Sequence, residues 1–182
     1  MVKMRYFVWS RRLSPLLALW FAILANPIHA AENDLEAKVK AAYLYHLTKF
    51  VDWPALPANE VRLCVLGSEA VGGLMRELSN RKVGERHLRI EVDNLSDPAQ
   101  CQVLFIGRAD KRLPDILKRV RGASVLTVSD LDDFARHGGV VGFYSEAGKI
   151  KLEIGLESAR AGNLRISSKL LEVARTVAAL NE

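Results

Sequence analysis

Three short apolar runs constrain this chain more than any other feature: Glu60–Leu66 (EVRLCVL), Cys101–Ile106 (CQVLFI) and Val125–Val128 (VLTV). Runs this short suit strands, and runs with so little polar alternation suit strands covered on both faces. Each precedes a segment that reads as a helix: about Glu69 to Leu78, Leu113 to Val120, and Asp130 to Arg136 (DLDDFAR), the last stopped by Gly138-Gly139. That alternation predicts an α/β fold with a mostly parallel sheet flanked by helices on both faces. His87–Val92 (HLRIEV) alternates and reads as a strand with one wet face. Val140–Tyr144 and Ile150–Ile154 are separated by the turn composition Ser145-Glu146-Ala147-Gly148, which predicts an antiparallel C-terminal hairpin. A short stretch Leu164–Ile166 follows, and Ser167 or Ser168 caps a last helix expected to run through Ala179.

Ahead of the first strand lies a helix expected over Asn33–Val51, capped by Asn33 or Asp34 and discouraged from continuing by Pro54. Leu35, Val39, Ala42, Tyr43, Leu47 and Phe50 recur at helical spacing, and Leu44 and Tyr45 widen the apolar face. A helix apolar over so much of its circumference is buried on two sides or shared with a partner.

The chain begins with Lys3, Arg5, Arg11 and Arg12, then runs without charge from Leu13 to Ala25 and reaches small residues at Ala30 and Ala31. A basic start, an apolar stretch short for a permanent span and a small-residue cut site describe a secretory leader over residues 1–30, with an uncleaved anchor as the alternative. The expectation is cleavage near Ala30 and a single α/β domain over 31–182 working in the periplasm. The leader holds four of the 26 Lys and Arg and none of the 21 Asp and Glu, so without it the balance is 22 against 21. Near-neutral charge provides no electrostatic basis for nucleic-acid binding.

Cys64 and Cys101 are the two cysteines. Outside the cytoplasm a lone pair reads as a disulfide, with two separate buried thiols as the alternative. If bonded, the pair is either structural or a redox-sensitive latch. No GxSxG, HExxH or P-loop pattern is present. His46, His87 and His137 lie in different elements without ligand spacing, and no cofactor is expected. Asp130, Asp132 and Asp133 read as the acidic N-terminus of a short helix. Gly67-Ser68-Glu69-Ala70-Val71-Gly72-Gly73 reads as an ordinary strand-to-helix turn, with an anion site as the weaker alternative.

Six segments taken in order, KAAYLYHLTKFVDWP (Lys40–Pro54), RLCVLG (Arg62–Gly67), CQVLFIG (Cys101–Gly107), VLTVSD (Val125–Asp130), FARHGGVVGF (Phe134–Phe143) and LRISSKLLEVA (Leu164–Ala174), resemble the YfiR-like family of periplasmic regulators. The resemblance spans essentially the whole chain after the leader. It implies a homodimeric repressor without catalytic activity that binds the periplasmic portion of a membrane-anchored, YfiN-like diguanylate cyclase and lowers cyclic di-GMP signalling. It also implies release by an OmpA-like outer-membrane lipoprotein of the YfiB kind, and redox control through cysteines. Cys64 and Cys101 match one cysteine pair of the family, whereas the hairpin Val140–Ile154 lacks the second. Binding of this kind rests on a few apolar or aromatic anchors. Tyr45 and Trp53, at the end of the first helix, and Leu164 and Ile166, near the C-terminus, are the expected anchors, while Phe50 and Leu170 are expected in the core. The alternative function is a periplasmic small-molecule binding module using the crevice near Ser68 and Gly107.

Overall fold

The structure, a computed structural model, describes residues 27–57 and 59–180. The expected leader falls on residues 1–30, of which 1–26 lie outside the described residues. Helix α1 (Pro27–Phe50) runs directly into β1 (Val51–Asp52). Next come β2 (Glu60–Leu66), α2 (Glu69–Arg76), β3 (Lys82–Val83) and β4 (Arg86–Val92). The middle of the chain forms β5 (Val103–Ile106), α3 (Leu113–Val120) and β6 (Leu126–Ser129). The last part forms β7 (Val141–Glu146), β8 (Lys149–Gly155), α4 (Leu156–Ala161), β9 (Arg165–Ile166), α5 (Ser168–Val173) and β10 (Arg175–Val177).

Eight strands form one sheet in the order β10-β8-β7-β6-β5-β2-β4-β3. The five from β4 to β7 are mutually parallel, and β3 and β8 join them antiparallel at either side. From β2 the chain moves outward to β4 through α2, then returns to the far side of β2 and moves the opposite way from β5 to β6 through α3. Right-handed crossovers in opposite directions put their helices on opposite faces. The apolar contacts agree: Val71 and Met75 of α2 belong to one core, and Leu113, Ile116 and Val120 of α3 to another.

Strand periodicity divides the side chains between these two cores. Leu63, Val65, Val103, Phe105, Leu126 and Val128 face α1 and α2, whereas Cys64, Leu66, Leu104 and Ile106 face α3. Both sets are buried, which is why the runs show no polar alternation.

Four expectations change. Pro27, the first described residue, is already helical, so α1 extends ahead of the expected caps Asn33 and Asp34. The stripe α1 buries is Ala37, Lys40, Ala41, Leu44, Leu47 and Thr48, while Leu35 is 64% exposed and Ala42 exposed. Small alanines on the sheet side permit close approach, so packing selects a face that hydrophobicity alone does not. Residues 130–136 form a chain of turns and not a helix, because Asp133 sits at φ 55°, outside the helical region. The last helix stops at Val173, and Arg175–Val177 instead pairs parallel with β8, covering an otherwise open edge. Its start is as expected, with the Ser167 hydroxyl accepting from Leu170 N at 3.3 Å.

The hairpin forms between β7 and β8, with Ala147 (φ 51°) and Gly148 (φ 71°) as its two turn residues. Two positive φ values in succession are what a twisted two-residue hairpin requires, and alanine adopts one of them at a cost of about 1 kcal/mol. Ala147→Asn, which produces an Asn-Gly turn, is expected to raise unfolding stability by roughly 0.5–1 kcal/mol in urea titrations; no gain would mean the hairpin backbone relaxes around Ala147.

Candidate functional site

The cysteines form the expected disulfide. Cys64 in β2 and Cys101, two residues before β5, lie with Cα atoms 6.0 Å apart across neighbouring strands. Both are buried, at 0% and 1% exposure, within the core under α3. Reagents therefore reach these sulfurs only when that core opens.

The four expected partner anchors divide. The β1–β9 ribbon pairs Val51 with Ile166 and Asp52 with Arg165, and Ser167 N donates to Phe50 O at 3.0 Å. This joins the end of α1 to the C-terminal segment, and the same register carries Trp53 toward Leu164. Trp53 is buried at 8% exposure, its indole N–H donating to Gln102 O at 3.2 Å, and Leu164 is buried at 5%. The expectation that Trp53 lies at the surface is thus corrected: β1 turns the chain inward and the ring fills the core beside the sheet. Ile166 remains half-buried. Tyr45 is also half-buried, but it points elsewhere, its hydroxyl 3.4 Å from Lys82 O of β3 and its ring 4.3 Å beneath the Lys49 ammonium. Phe50 packs partly buried against the core, and Leu170 is buried at 5%.

The crevice expected near Ser68 and Gly107, where the order of connection reverses between β2 and β5, is closed by the chain itself. A Cβ on Gly107 would stand 2.4 Å from Gly67 O, and one on Gly67 (φ 67°) 2.7 Å from Asp110 Cβ. Gly67 N donates to the Asp93 carboxylate at 2.8 Å. Arg112 hydrogen-bonds the Asp110 carboxylate and holds its carboxyl below the usual range. Carboxylates thus occupy the surroundings an anion would need, and the turn is an ordinary strand-to-helix connection.

A cleft of about 600 Å³ lies instead between the N-terminal half of α1 and the β7–β8 hairpin. Three adjacent parallel strands deliver residues to it at their carboxyl ends: Arg108 just after β5, Asp130 just after β6 and Tyr144 within β7. Its floor is an ion pair between Lys40 of α1 and Asp130 at 2.5 Å, with side chains 8% and 12% exposed. Glu36, one turn earlier on α1, is a second partner of Lys40. Asp130 also accepts from Arg108 N at 2.7 Å, so each of its oxygens is used.

Sequence reading assigned Asp130 to a helix start and gave Lys40 no role. The one signal available was a lysine between Ala37 and Leu44 in an apolar helix, next to an aspartate closing a buried strand. Ninety residues separate the partners, and only folding shows that they meet. A second buried carboxylate, Glu153 at 2% exposure, is held by Arg175 of β10 at 2.7 Å, and that guanidinium also stacks on Tyr144 at 3.7 Å.

Among the described residues, no group of three His, Cys, Asp or Glu side chains could hold a metal ion, and no helix is long and apolar enough to cross a membrane. Comparison with protein families matches residues 37–175 to the YfiR/HmsC-like model. The chain belongs to that family. At family level its role is periplasmic regulation of cyclic di-GMP signalling rather than catalysis. A search of curated proteins finds no match. The family match runs from the middle of α1 through the first residue of β10, so it takes in both the disulfide and the cleft.

Proposed function

We propose that this protein binds the periplasmic portion of a membrane-anchored diguanylate cyclase, or a similar sensor, and holds it in its inactive state, lowering cyclic di-GMP synthesis. Membership of the YfiR/HmsC-like family is the observation that carries this reading. On it, the protein is exported with its leader removed near Ala30, acts as a homodimer, and is released from the cyclase by an OmpA-like outer-membrane lipoprotein. Moving a two-state receptor from 1:99 to 99:1 takes about 5.5 kcal/mol of differential binding, which a compact set of anchors can provide. Tyr45 and Ile166 keep part of their surface for such contacts, whereas Trp53 and Leu164 act by supporting the ribbon beneath Ile166.

The test is capture from detergent-solubilised inner membrane by the purified protein, together with cyclic di-GMP levels after gene deletion. Capture of a cyclase and a rise in cyclic di-GMP on deletion are expected. Unchanged levels in a strain that carries the captured cyclase would overturn the reading.

A further inference from the structure

The C-terminal strand β10 closes one edge of the sheet with little apolar packing to hold it there. It pairs with β8 over three residues, Arg175 with Glu153, Thr176 with Ile154 and Val177 with Gly155. Arg175 and Thr176 are exposed, and its one buried side chain, Val177, belongs to neither apolar core. The flanking residues add little. Val173 is 70% exposed at the end of α5, and Leu180 is 50% exposed, its N–H donating to Arg136 O at 2.9 Å. An element with so few buried contacts opens at a free energy well below that of global unfolding.

Against this sparse packing stands one strong polar contact. Arg175 donates to Glu153 Oε2 from Nε at 3.2 Å and from Nη2 at 2.7 Å, and the same guanidinium stacks on the Tyr144 ring at 3.7 Å. The Glu153 carboxylate fits beneath β10 because residue 142, opposite it on β7, is glycine: a Cβ there would stand 2.7 Å from Oε1. Among the described residues, Arg175 is the one cation within ion-pair distance of it. With β10 in place the carboxylate is buried and paired. Without that cation its burial is costly, and the cost is relieved when the strand leaves and water returns. The arginine thus holds closed a strand that the glutamate alone would drive open.

We propose that β10 is a releasable strap, latched by Arg175 on Glu153, which opens while the rest of the sheet stays folded. Opening uncovers the edge of β8 and takes the guanidinium off Tyr144, a residue of the cleft wall, so the state of the C-terminal strand reaches the cleft through one side chain. The device rests on contacts within the chain and does not depend on the regulator reading.

The test is amide hydrogen exchange of the purified protein in native buffer and in low, increasing urea. The protected amides of β10, and those of Glu153–Gly155 that pair with it, are expected to exchange through an opening that urea hardly changes. Amides of β2 and β5 are expected to exchange through the strongly urea-dependent global transition. Ile116→Ala, which weakens the core under α3, is expected to speed exchange in β2 and β5 and to leave the strap unchanged. Arg175→Gln is expected to speed exchange at the strap about ten-fold or more, as loss of charged hydrogen bonds does. Adding Glu153→Gln to that variant removes the unpaired charge and is expected to reverse most of the increase. The urea series and Ile116→Ala leave the latch intact, so they decide the release even where Arg175→Gln does not fold. Strap amides that exchange only with the global transition, or that speed up with the core in Ile116→Ala, would overturn the proposal. So would an Arg175→Gln effect that is absent, or one that persists in full alongside Glu153→Gln.

Discussion

Cys64→Ala/Cys101→Ala is expected to lower unfolding stability by about 3–4 kcal/mol, the loop-entropy value for a cross-link of this separation. In a domain of this size that corresponds to a fall in Tm of roughly 10 °C, measurable by circular dichroism. The loss falls on the core under α3, since β2 and the segment leading into β5 are the parts the bond ties together. Because both sulfurs are buried, mild reductant is expected to leave the bond intact in the folded protein and to cleave it only as the protein unfolds. Rapid reduction under native conditions would instead mark the pair as an accessible switch. An unchanged Tm in the double variant would show that the cross-link adds nothing to the packed sheet.

Lys40→Ala is expected to cost about 3–5 kcal/mol, because it leaves the Asp130 carboxylate buried beside α1 without its closest cation. Lys40→Met with Asp130→Asn removes both charges, keeps a side-chain oxygen for Arg108 N, and is expected to recover most of that loss. A double-mutant cycle in urea therefore gives a large coupling between two residues far apart in the chain. A cost below about 1 kcal/mol for the single variant would place the pair in the class of solvated surface bridges.

These two sites differ in how far they were legible. Cysteines in an exported chain have one common fate, and strands running parallel at short separation can bring Cys64 and Cys101 together, so the bond was open to sequence reasoning. The Lys40–Asp130 pair was not. A lysine in a helix ordinarily points to water, and the turn chain following β6 resembles a helix start in composition alone. What placed Lys40 inward was the rotation of α1, which buries Ala37, Ala41, Leu44 and Leu47 on the same face. Leu35 shows the same rotation from the other side, since helical spacing set it on the apolar face with Leu47 and the fold leaves it exposed at the cleft.

The sequence by itself determined the class of fold, because short unbroken apolar runs alternating with helical segments can be satisfied only by a sheet covered on both faces. It also determined the hairpin, whose turn chemistry is local. Tertiary structure alone decided the closure of the crevice between Gly67 and Gly107, the burial of Trp53, the conversion of Arg175–Val177 from helix to edge strand, and the cleft. The physical reason is common to all four. Each depends on contacts between segments far apart in the chain, where packing distance and the need to pair backbone groups at a sheet edge outweigh the weak preferences of a few residues.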